Sequence, residues 1–133
     1  MKKLIIVLSL MLVVSAAAIA QEKRLSSAPK SFRSFYTNFK RAVERSDKTA
    51  VAGMTRFPFS YGYDAGDEGK YTRSQFVTNF KLIFGNPREF FAESNPRFGR
   101  EDRTYYVYTE DAAHLGFVKS GRTYKFVSYI VEP

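Results

Sequence analysis

Apolar residues recur along this chain with two different periods, and the first of these predicts a long amphipathic helix. From residue 32 to residue 43, apolar side chains recur at three- and four-residue steps, the spacing that places them on one face of a helix. That stripe comprises Phe32, Phe35, Tyr36, Phe39, Ala42 and Val43. Ser31 precedes it and is predicted to cap the helix N-terminus. Asp47 is predicted to cap a second, short helix that turns Val51 and Met54 inward.

From residue 57 the apolar residues recur at every second position, which predicts a β-strand with its aromatic rings on one side. Phe57, Phe59, Tyr61 and Tyr63 alternate there with smaller or polar residues. Pro58 has no amide hydrogen for a β-ladder, so we expect this strand to lie at a sheet edge or to begin there.

A third helix is predicted after Thr72 and Gln75, which form a capping box. Its buried stripe is Phe76, Phe80, Ile83 and Phe84, and Gly85-Asn86-Pro87 ends it. Residues 88–102 fit no single pattern. Phe90 and Phe91 indicate a short strand or helical turn, and Gly99 to Asp102 is typical of a loop.

The C-terminal third predicts a three-stranded meander over 104–109, 112–119 and 122–131. Two-residue turns at Glu110-Asp111 and Ser120-Gly121 would put one apolar face toward the helices. That face carries Tyr106, Tyr108, Ala113, Leu115, Phe117, Tyr124 and Phe126. The opposite face would carry His114 and Lys125 together with an apolar patch, which we interpret as a possible homodimer interface. The patch comprises Tyr105, Val107, Val127 and Tyr129.

The first twenty residues have the layout of a bacterial secretory signal. Lys2 and Lys3 precede an apolar run, and Ala18-Ile19-Ala20 favours cleavage before Gln21. An uncleaved anchor is disfavoured because the run is shorter than the ~20 residues of a spanning helix. We therefore expect a signal over 1–20, a flexible leader over 21–29 and one domain over 30–133. The location would be the periplasm or the extracellular medium, with no stable membrane anchor after cleavage.

The amino-acid composition excludes several kinds of chemical site. The chain has no cysteine, which excludes disulfides, thiolate metal sites and thiol nucleophiles. Its 13 Phe and 9 Tyr, with no Trp, predict an aromatic core, which is either packed throughout or opens into a ring-lined pocket. Loss of the two signal lysines lowers the formal net charge from +8 to +6. Because the basic residues are dispersed and the protein is expected outside the cytoplasm, we predict a solvated surface with weak anion affinity and no nucleic-acid partner.

The order of these elements resembles the nuclear transport factor 2-like (SnoaL-like) superfamily, including its small exported bacterial members. The resemblance rests on the first helix, the second helix starting at Asp47, the Phe57-Pro58-Phe59 strand, residues 71–84 and the closing hairpin over 116–126. Members more often have Trp in place of Tyr124. It implies an α+β fold in which three N-terminal helices pack on a curved, mainly antiparallel sheet to form a cone with an apolar pocket. Members include isomerases, dehydratases, ligand carriers and non-catalytic binding modules, so the fold alone does not fix the function.

The candidates for catalysis are few. His114 is the only histidine and is expected on the outer face, which favours a structural or interface role over a catalytic one. The resemblance implies an inner-strand Asp paired with Tyr in enzymes, and Asp64 is the one weak catalytic candidate here. Its tyrosine partners would come from Tyr61, Tyr63, Tyr106 and Tyr124. The Asp64 to Gly69 loop lacks the donor alternation of a calcium site, and we expect no metal and no cofactor.

Three functions follow from this sequence. The favoured one is an exported, non-enzymatic domain that binds an apolar ligand or a protein partner in an aromatic cone. Its predicted lining is Phe57, Phe59, Tyr61, Phe80, Tyr106, Phe117, Tyr124 and Phe126. The alternatives are a small acid–base enzyme of isomerase or dehydratase type that uses Asp64 and a pocket Tyr, and a self-associating module.

Overall fold

The computed structural model describes residues 23–63, 66–109 and 112–132. The predicted signal, Asp64 and the Glu110-Asp111 turn lie outside these residues. A 3-10 turn at Leu25–Ser27 precedes the helices, which are α1 (Lys30–Glu44), α2 (Lys48–Gly53), α3 (Arg73–Thr78), α4 (Phe80–Phe84) and α5 (Pro87–Phe90). The strands are β1 (Thr55–Gly62), β2 (Glu68–Tyr71), β3 (Phe98–Glu101), β4 (Thr104–Tyr108), β5 (Ala113–Ser120) and β6 (Thr123–Val131).

The strands form one open, curved sheet in the order β2-β1-β6-β5-β4-β3. Every neighbouring pair is antiparallel except β1 and β6, which run parallel. The helices pack on the inner face of this sheet, and the predicted α+β class is confirmed.

Helix α1 buries its whole predicted stripe, but its start differs from the prediction. Pro29 occupies the capping position without a side-chain hydrogen bond, since a proline fits before the first helical turn. The helix therefore begins at Lys30, and Ser31 is its second residue rather than its cap. The Ser31 hydroxyl instead lies 2.9 Å from the Tyr124 hydroxyl on β6.

The other predicted caps are confirmed. The Asp47 carboxylate accepts a hydrogen bond from the Ala50 amide at 3.1 Å, and Thr72 and Gln75 form the complete capping box. The third predicted helix is divided at Asn79 into α3 and α4. The Asn79 side chain donates to the Gln75 carbonyl at 2.8 Å at this break. Phe90 lies in a short helix, one of the two predicted alternatives.

Strand β3 was missed by the sequence analysis, which assigned its residues to a loop. Gly99 and the charged residues beside it give no apolar alternation, yet Phe98 pairs with Val107 and Glu101 with Thr104. Pairing with β4, rather than local preference, holds this segment extended.

The edge position expected from Pro58 is wrong. Strand β1 begins three residues earlier, at Thr55, and lies between β2 and β6. Pro58 is tolerated because the β2 ladder covers only Phe59 to Gly62. On the other side, the β6 ladder changes register between Thr55 and Ser60, so no regular ladder bond is lost at the proline.

The predicted register between β4 and β5 is wrong by one residue, which exchanges the two faces of β4. Tyr105 lies opposite Phe117 and Tyr106 opposite Gly116. The connection is longer than a two-residue turn, because the Thr109 amide donates to the Ala113 carbonyl at 2.8 Å and Ala112 has a φ of +58°.

The predicted dimer patch is consequently not formed on one face. Tyr105 and Val107 face the helices and are 7% and 1% exposed. A bulge in β6, where Phe126 pairs with Phe117 and Ser128 with Gly116, turns Tyr129 inward against the core as well. Only Val127, the extra residue of the bulge, stays on the outer side. The turn between β5 and β6 lies at Gly121-Arg122 rather than at the predicted Ser120-Gly121. The pairing of β5 with β6 therefore shifts by two residues, which leaves the faces of Phe117, Tyr124 and Phe126 as predicted.

Candidate functional site

Most of the residues predicted to line an aromatic pocket pack into the interior between helices and sheet instead. Phe59, Phe117 and Phe126 are fully buried, and the ring of Phe126 lies 4.7 Å from that of Phe59 and 5.3 Å from that of Phe117. Centroid distances of this size are those of rings in direct contact. Phe57 and Phe80 join the same cluster through Phe76, at 5.5 and 6.3 Å.

Helix α1 covers the inner face of the sheet with its own rings. Phe32 lies 5.4 Å from Phe117 and 5.1 Å from Tyr124. Phe39 lies 5.3 Å from Phe117 and 4.9 Å from Phe126. Five of the eight predicted lining residues, Phe59, Phe80, Phe117, Tyr124 and Phe126, therefore belong to the hydrophobic core. Tyr106 is on the opposite face of the sheet.

A tyrosine cluster closes the β1–β2 end of the sheet. Tyr61 stacks on Tyr71 at 4.1 Å, and the hydroxyls of Tyr63 and Tyr71 are 3.2 Å apart. Burial, followed by the hydrogen bond to Tyr71, raises the pKa of Tyr63 far above its ordinary value. Of the four tyrosines proposed to assist Asp64, Tyr61 and Tyr63 lie together here. Tyr106 and Tyr124 are elsewhere, so the four do not form one site.

His114 lies on the outer face, as predicted. Its Nδ1 is 3.2 Å from a carboxylate oxygen of Glu132, and the Tyr106 ring meets its ring edge to face at 5.1 Å. Its strand partners are Tyr108 and Ile130, whereas the two predicted two-residue turns would have placed it opposite Val107 and Val127. Burial lowers the pKa of His114, and the Glu132 carboxylate opposes that shift.

Within the described ranges, no group of three or more His, Asp or Glu side chains is placed to hold a metal ion. No helix in those ranges has the length and apolar character needed to cross a membrane.

Positive charge is concentrated in a cleft at one end of the sheet, which is lined by residues of β1, β3, β4 and β5 and of the turn between β3 and β4. Its volume is about 570 Å³, and its lining includes four cationic side chains, those of Arg56, Arg100, Arg103 and Lys119. Thr104, Tyr105 and Val118 complete the lining, and no described lining residue is a carboxylate. We call this the basic cleft.

The cations of the basic cleft are available to a ligand. Arg56, Arg103 and Lys119 are exposed and form no ion pair within the described part of the chain. The Arg100 Nε donates to the Asp102 carbonyl at 3.0 Å, and its guanidinium lies 5.1 Å from the Tyr105 ring centre. By contrast, Lys125 is tied to the Gly53 carbonyl by a 2.6 Å hydrogen bond.

Sequence reasoning missed this site because its four cations are scattered between positions 56 and 119. The signal available was the overall basic charge, which the sequence analysis assigned mainly to a solvated surface. The strand order is needed to bring residues of β1, β3 and β5 to one cleft, together with Arg103 from the turn between β3 and β4.

Two other clefts border α1, and both have mixed charge. One of about 290 Å³ contains Lys40 and Arg41 together with Glu44 and Glu93. The other, of about 470 Å³, is lined by Arg41, Arg45 and Arg88 but also by Glu44. The Lys40 ammonium is 3.8 Å from the Glu44 carboxylate. Carboxylates thus offset the cations in both.

Comparisons with known proteins find no matching family model and no matching curated protein. Similarity to solved structures is found. One such structure is a nuclear transport factor 2-like protein of unknown function from Silicibacter pomeroyi, with a TM-score of 0.46 and 14% identity over 73% of this chain and 87% of that one.

Two further structures show similar overlap. Aln2 from a Streptomyces species gives a TM-score of 0.47 and 12% identity over 74% of this chain and 85% of that one. A nuclear transport factor 2-like protein with a cystatin-like fold from Novosphingobium aromaticivorans gives 0.40 and 13% over 74% and 76%. The basic cleft borders the packed interior between helices and sheet, because Tyr105 belongs both to its lining and to the hydrophobic core.

Proposed function

We propose that this protein is an exported, non-enzymatic binding domain whose ligand carries negative charge and lies in the basic cleft. The observation that carries the proposal is the lining of that cleft, where four cationic side chains converge and none of the described lining residues is a carboxylate. Histidine and carboxylate side chains are the commonest general acids and bases, and the described lining of the cleft contains neither, so we propose binding rather than catalysis.

An anionic ligand would be attracted to the basic cleft by several cationic side chains at once. A single exposed ion pair contributes only about 0.2–1 kcal/mol, so one arginine would not make a site. Cations that share a cleft reinforce one another's field, and arginine guanidinium groups present paired donors to carboxylate or phosphate oxygens. The buried Tyr105 ring forms an apolar wall that limits hydration of a bound anion. A ligand with two or more anionic groups would gain most from this arrangement.

The sequence favours an apolar ligand bound among the aromatic rings. The packing of those rings argues for an anionic ligand in the basic cleft instead. Phe39, Phe117 and Phe126 would have to separate to admit such a ligand. An anion reaches the basic cleft without any change in the core. Export, where the signal acts as predicted, would expose this cleft to the anionic polymers of a bacterial envelope.

The test is calorimetric titration with inorganic pyrophosphate as the probe. We expect saturable binding that weakens steeply as salt is added, because exposed charges are screened. The double variant Arg56→Gln/Lys119→Gln should lower the affinity about tenfold, equivalent to ~1.4 kcal/mol.

The matched control is Arg88→Gln/Lys81→Gln, which removes the same charge from the helical side. Both of its residues are exposed and neither lines the basic cleft. Equal losses in the two double variants would show that net charge, rather than the cleft, attracts the anion. Binding of a hydrophobic dye with no pyrophosphate binding would favour the apolar ligand and overturn the proposal.

A further inference from the structure

The basic cleft continues into a second groove on the outer face of the sheet. This outer groove has a volume of about 390 Å³ and shares Arg56 and Thr104 with the basic cleft. We propose that the two together bind a segment of a linear acidic polysaccharide. This inference rests on the proposed function and extends it by naming the class of ligand.

The outer groove crosses the strands rather than following one of them. Its lining includes Lys70 on β2, Ser60 on β1, Ser128 on β6 and Tyr106 on β4. In the observed strand order, β2 and β4 are four strand spacings apart, or about 19 Å. A groove of that length is longer than one inorganic anion or one sugar ring and fits an extended chain.

Gly116 on β5 allows the groove to pass over the sheet. It pairs with Tyr106 on one side and with Ser128 on the other, so it lies between the two walls. A β-carbon at this position would collide with the Ser128 hydroxyl and would lie 3.5 Å from the Thr104 methyl group. The missing side chain therefore lets residues of β4 and β6 approach each other across β5.

The chemistry of the lining fits an acidic sugar better than a simple polyanion. Ser60, Thr104 and Ser128 are half-buried and form no hydrogen bond through their hydroxyls within the described part of the chain. Tyr106 meets His114 at 87° and has no stacked ring partner among the described residues. Hydroxyls can pair with sugar hydroxyls, and an aromatic ring offers a flat apolar surface to a sugar face.

The charges are placed to hold carboxylates along such a chain. Lys70 lies at one end of the outer groove, Arg56 at its junction with the basic cleft, and Arg103 and Lys119 beyond it. Inorganic polyphosphate would engage these cations but has no apolar face for Tyr106 and no hydrogen-bond donors for the three hydroxyls. Negative groups spaced by sugar rings match both features.

The experiment compares polygalacturonate oligomers of increasing length with galacturonic acid, inorganic pyrophosphate and an oligothymidylate of equal charge. We expect the affinity for polygalacturonate to rise with length until the groove is filled. Lys70→Gln should weaken the long oligomer about three- to fivefold and leave pyrophosphate binding unchanged. Tyr106→Ala should weaken the long oligomer about three- to tenfold, again without affecting pyrophosphate.

The outcomes separate this inference from the proposed function. A long oligomer that binds no more tightly than galacturonic acid, or that is insensitive to Lys70→Gln, overturns the extended site while pyrophosphate binding still supports the cleft. Failure of pyrophosphate to bind overturns the proposed function itself. Tighter binding of the oligothymidylate than of polygalacturonate would make the ligand a nucleic acid and refute the polysaccharide. Lys70 is an exposed side chain, so its variant remains informative even where Tyr106→Ala perturbs folding.

Discussion

The hydrogen bond between Ser31 and Tyr124 connects the start of α1 to β6. Its contribution to the free energy of unfolding can be measured by removing one or both hydroxyls. The Tyr124 residue is only 2% exposed, and its hydroxyl has the Ser31 hydroxyl at 2.9 Å. We expect Ser31→Ala to lower the free energy of unfolding by about 1 kcal/mol in urea denaturation. Tyr124→Phe should then have little further effect in the Ser31→Ala background.

Ser34→Ala is the matched control for that cycle, because Ser34 lies in the same helix and is exposed. Alanine favours the helix at both positions by a similar amount, so the difference between the two variants isolates the hydrogen bond. If Ser31→Ala is as stable as Ser34→Ala, the bond contributes nothing in solution.

The single histidine gives a second prediction, because its ring resonances can be followed without ambiguity. Burial lowers the pKa of His114 while Glu132 opposes that shift. Below about pH 6.5 the unfolded chain then binds more protons than the folded one, so His114 makes stability fall as the pH falls. Glu132→Gln removes the opposing charge and should lower the pKa of His114 further in an NMR titration. A pKa that stays the same or rises in this variant would show that the carboxylate does not act on the ring.

At the scale of elements, α1 fills the space where the sequence predicted a pocket. Phe39 contacts Phe84, Phe117 and Phe126 and has no exposed surface. Phe39→Ala should lower the free energy of unfolding by about 3–5 kcal/mol, through lost apolar contact and the cavity left behind. Leu82→Ala, on α4 and 66% exposed, should change it by less than about 0.5 kcal/mol. A small loss for Phe39→Ala would indicate that the interior is loosely packed and able to admit a ligand.

The helices were predictable because their signals are local. The stripe of α1, the Asp47 cap and the Thr72–Gln75 box each lie within a few residues of the element that they specify. The sheet was less predictable, since one additional residue in the loop before Ala113 reverses the face of β4. That reversal buries Tyr105, which was expected outside, and exposes Tyr106, which was expected inside. The bulge at Val127 has the same effect on Tyr129.

The basic cleft depends on elements that are distant in sequence. Arg56 reaches it because β1 runs parallel to β6, a pairing that no turn connects. Arg100 reaches it because β3 pairs with β4, and β3 had the composition of a loop. The chain itself shows the excess of positive charge but not its convergence, because neither pairing leaves a local mark.

On the scale of the whole molecule, binding and stability use different surfaces. The cations of the basic cleft and of the outer groove are exposed, whereas the rings that hold the fold together are buried between the helices and the sheet. Charge-removing substitutions at Arg56, Lys70 or Lys119 should therefore alter ligand affinity without weakening the core. This separation lets the binding experiments be interpreted without a correction for unfolding.

The packed aromatic core also predicts that the whole molecule becomes less stable in alkali. Burial, together with the nearby Glu44 carboxylate, raises the pKa of Tyr36 well above its ordinary value of 10, and burial likewise raises that of Tyr63. Below about pH 10 these hydroxyls are neutral in both states and the stabilisation is complete. Above it the unfolded chain loses protons that the folded chain keeps, so the free energy of unfolding falls, by up to about 1.4 kcal/mol per pH unit for Tyr36.

Urea denaturation at a series of pH values from about 9 to 11, compared between the natural chain and Tyr36→Phe, measures this contribution. The variant should lose stability less steeply above about pH 10, because phenylalanine has no proton to release in the unfolded state. The other ionisable groups are identical in the two proteins, so their contributions cancel in the comparison. Parallel slopes would show that the Tyr36 hydroxyl ionises as readily in the folded protein as in the unfolded chain, and that α1 does not seal it from water.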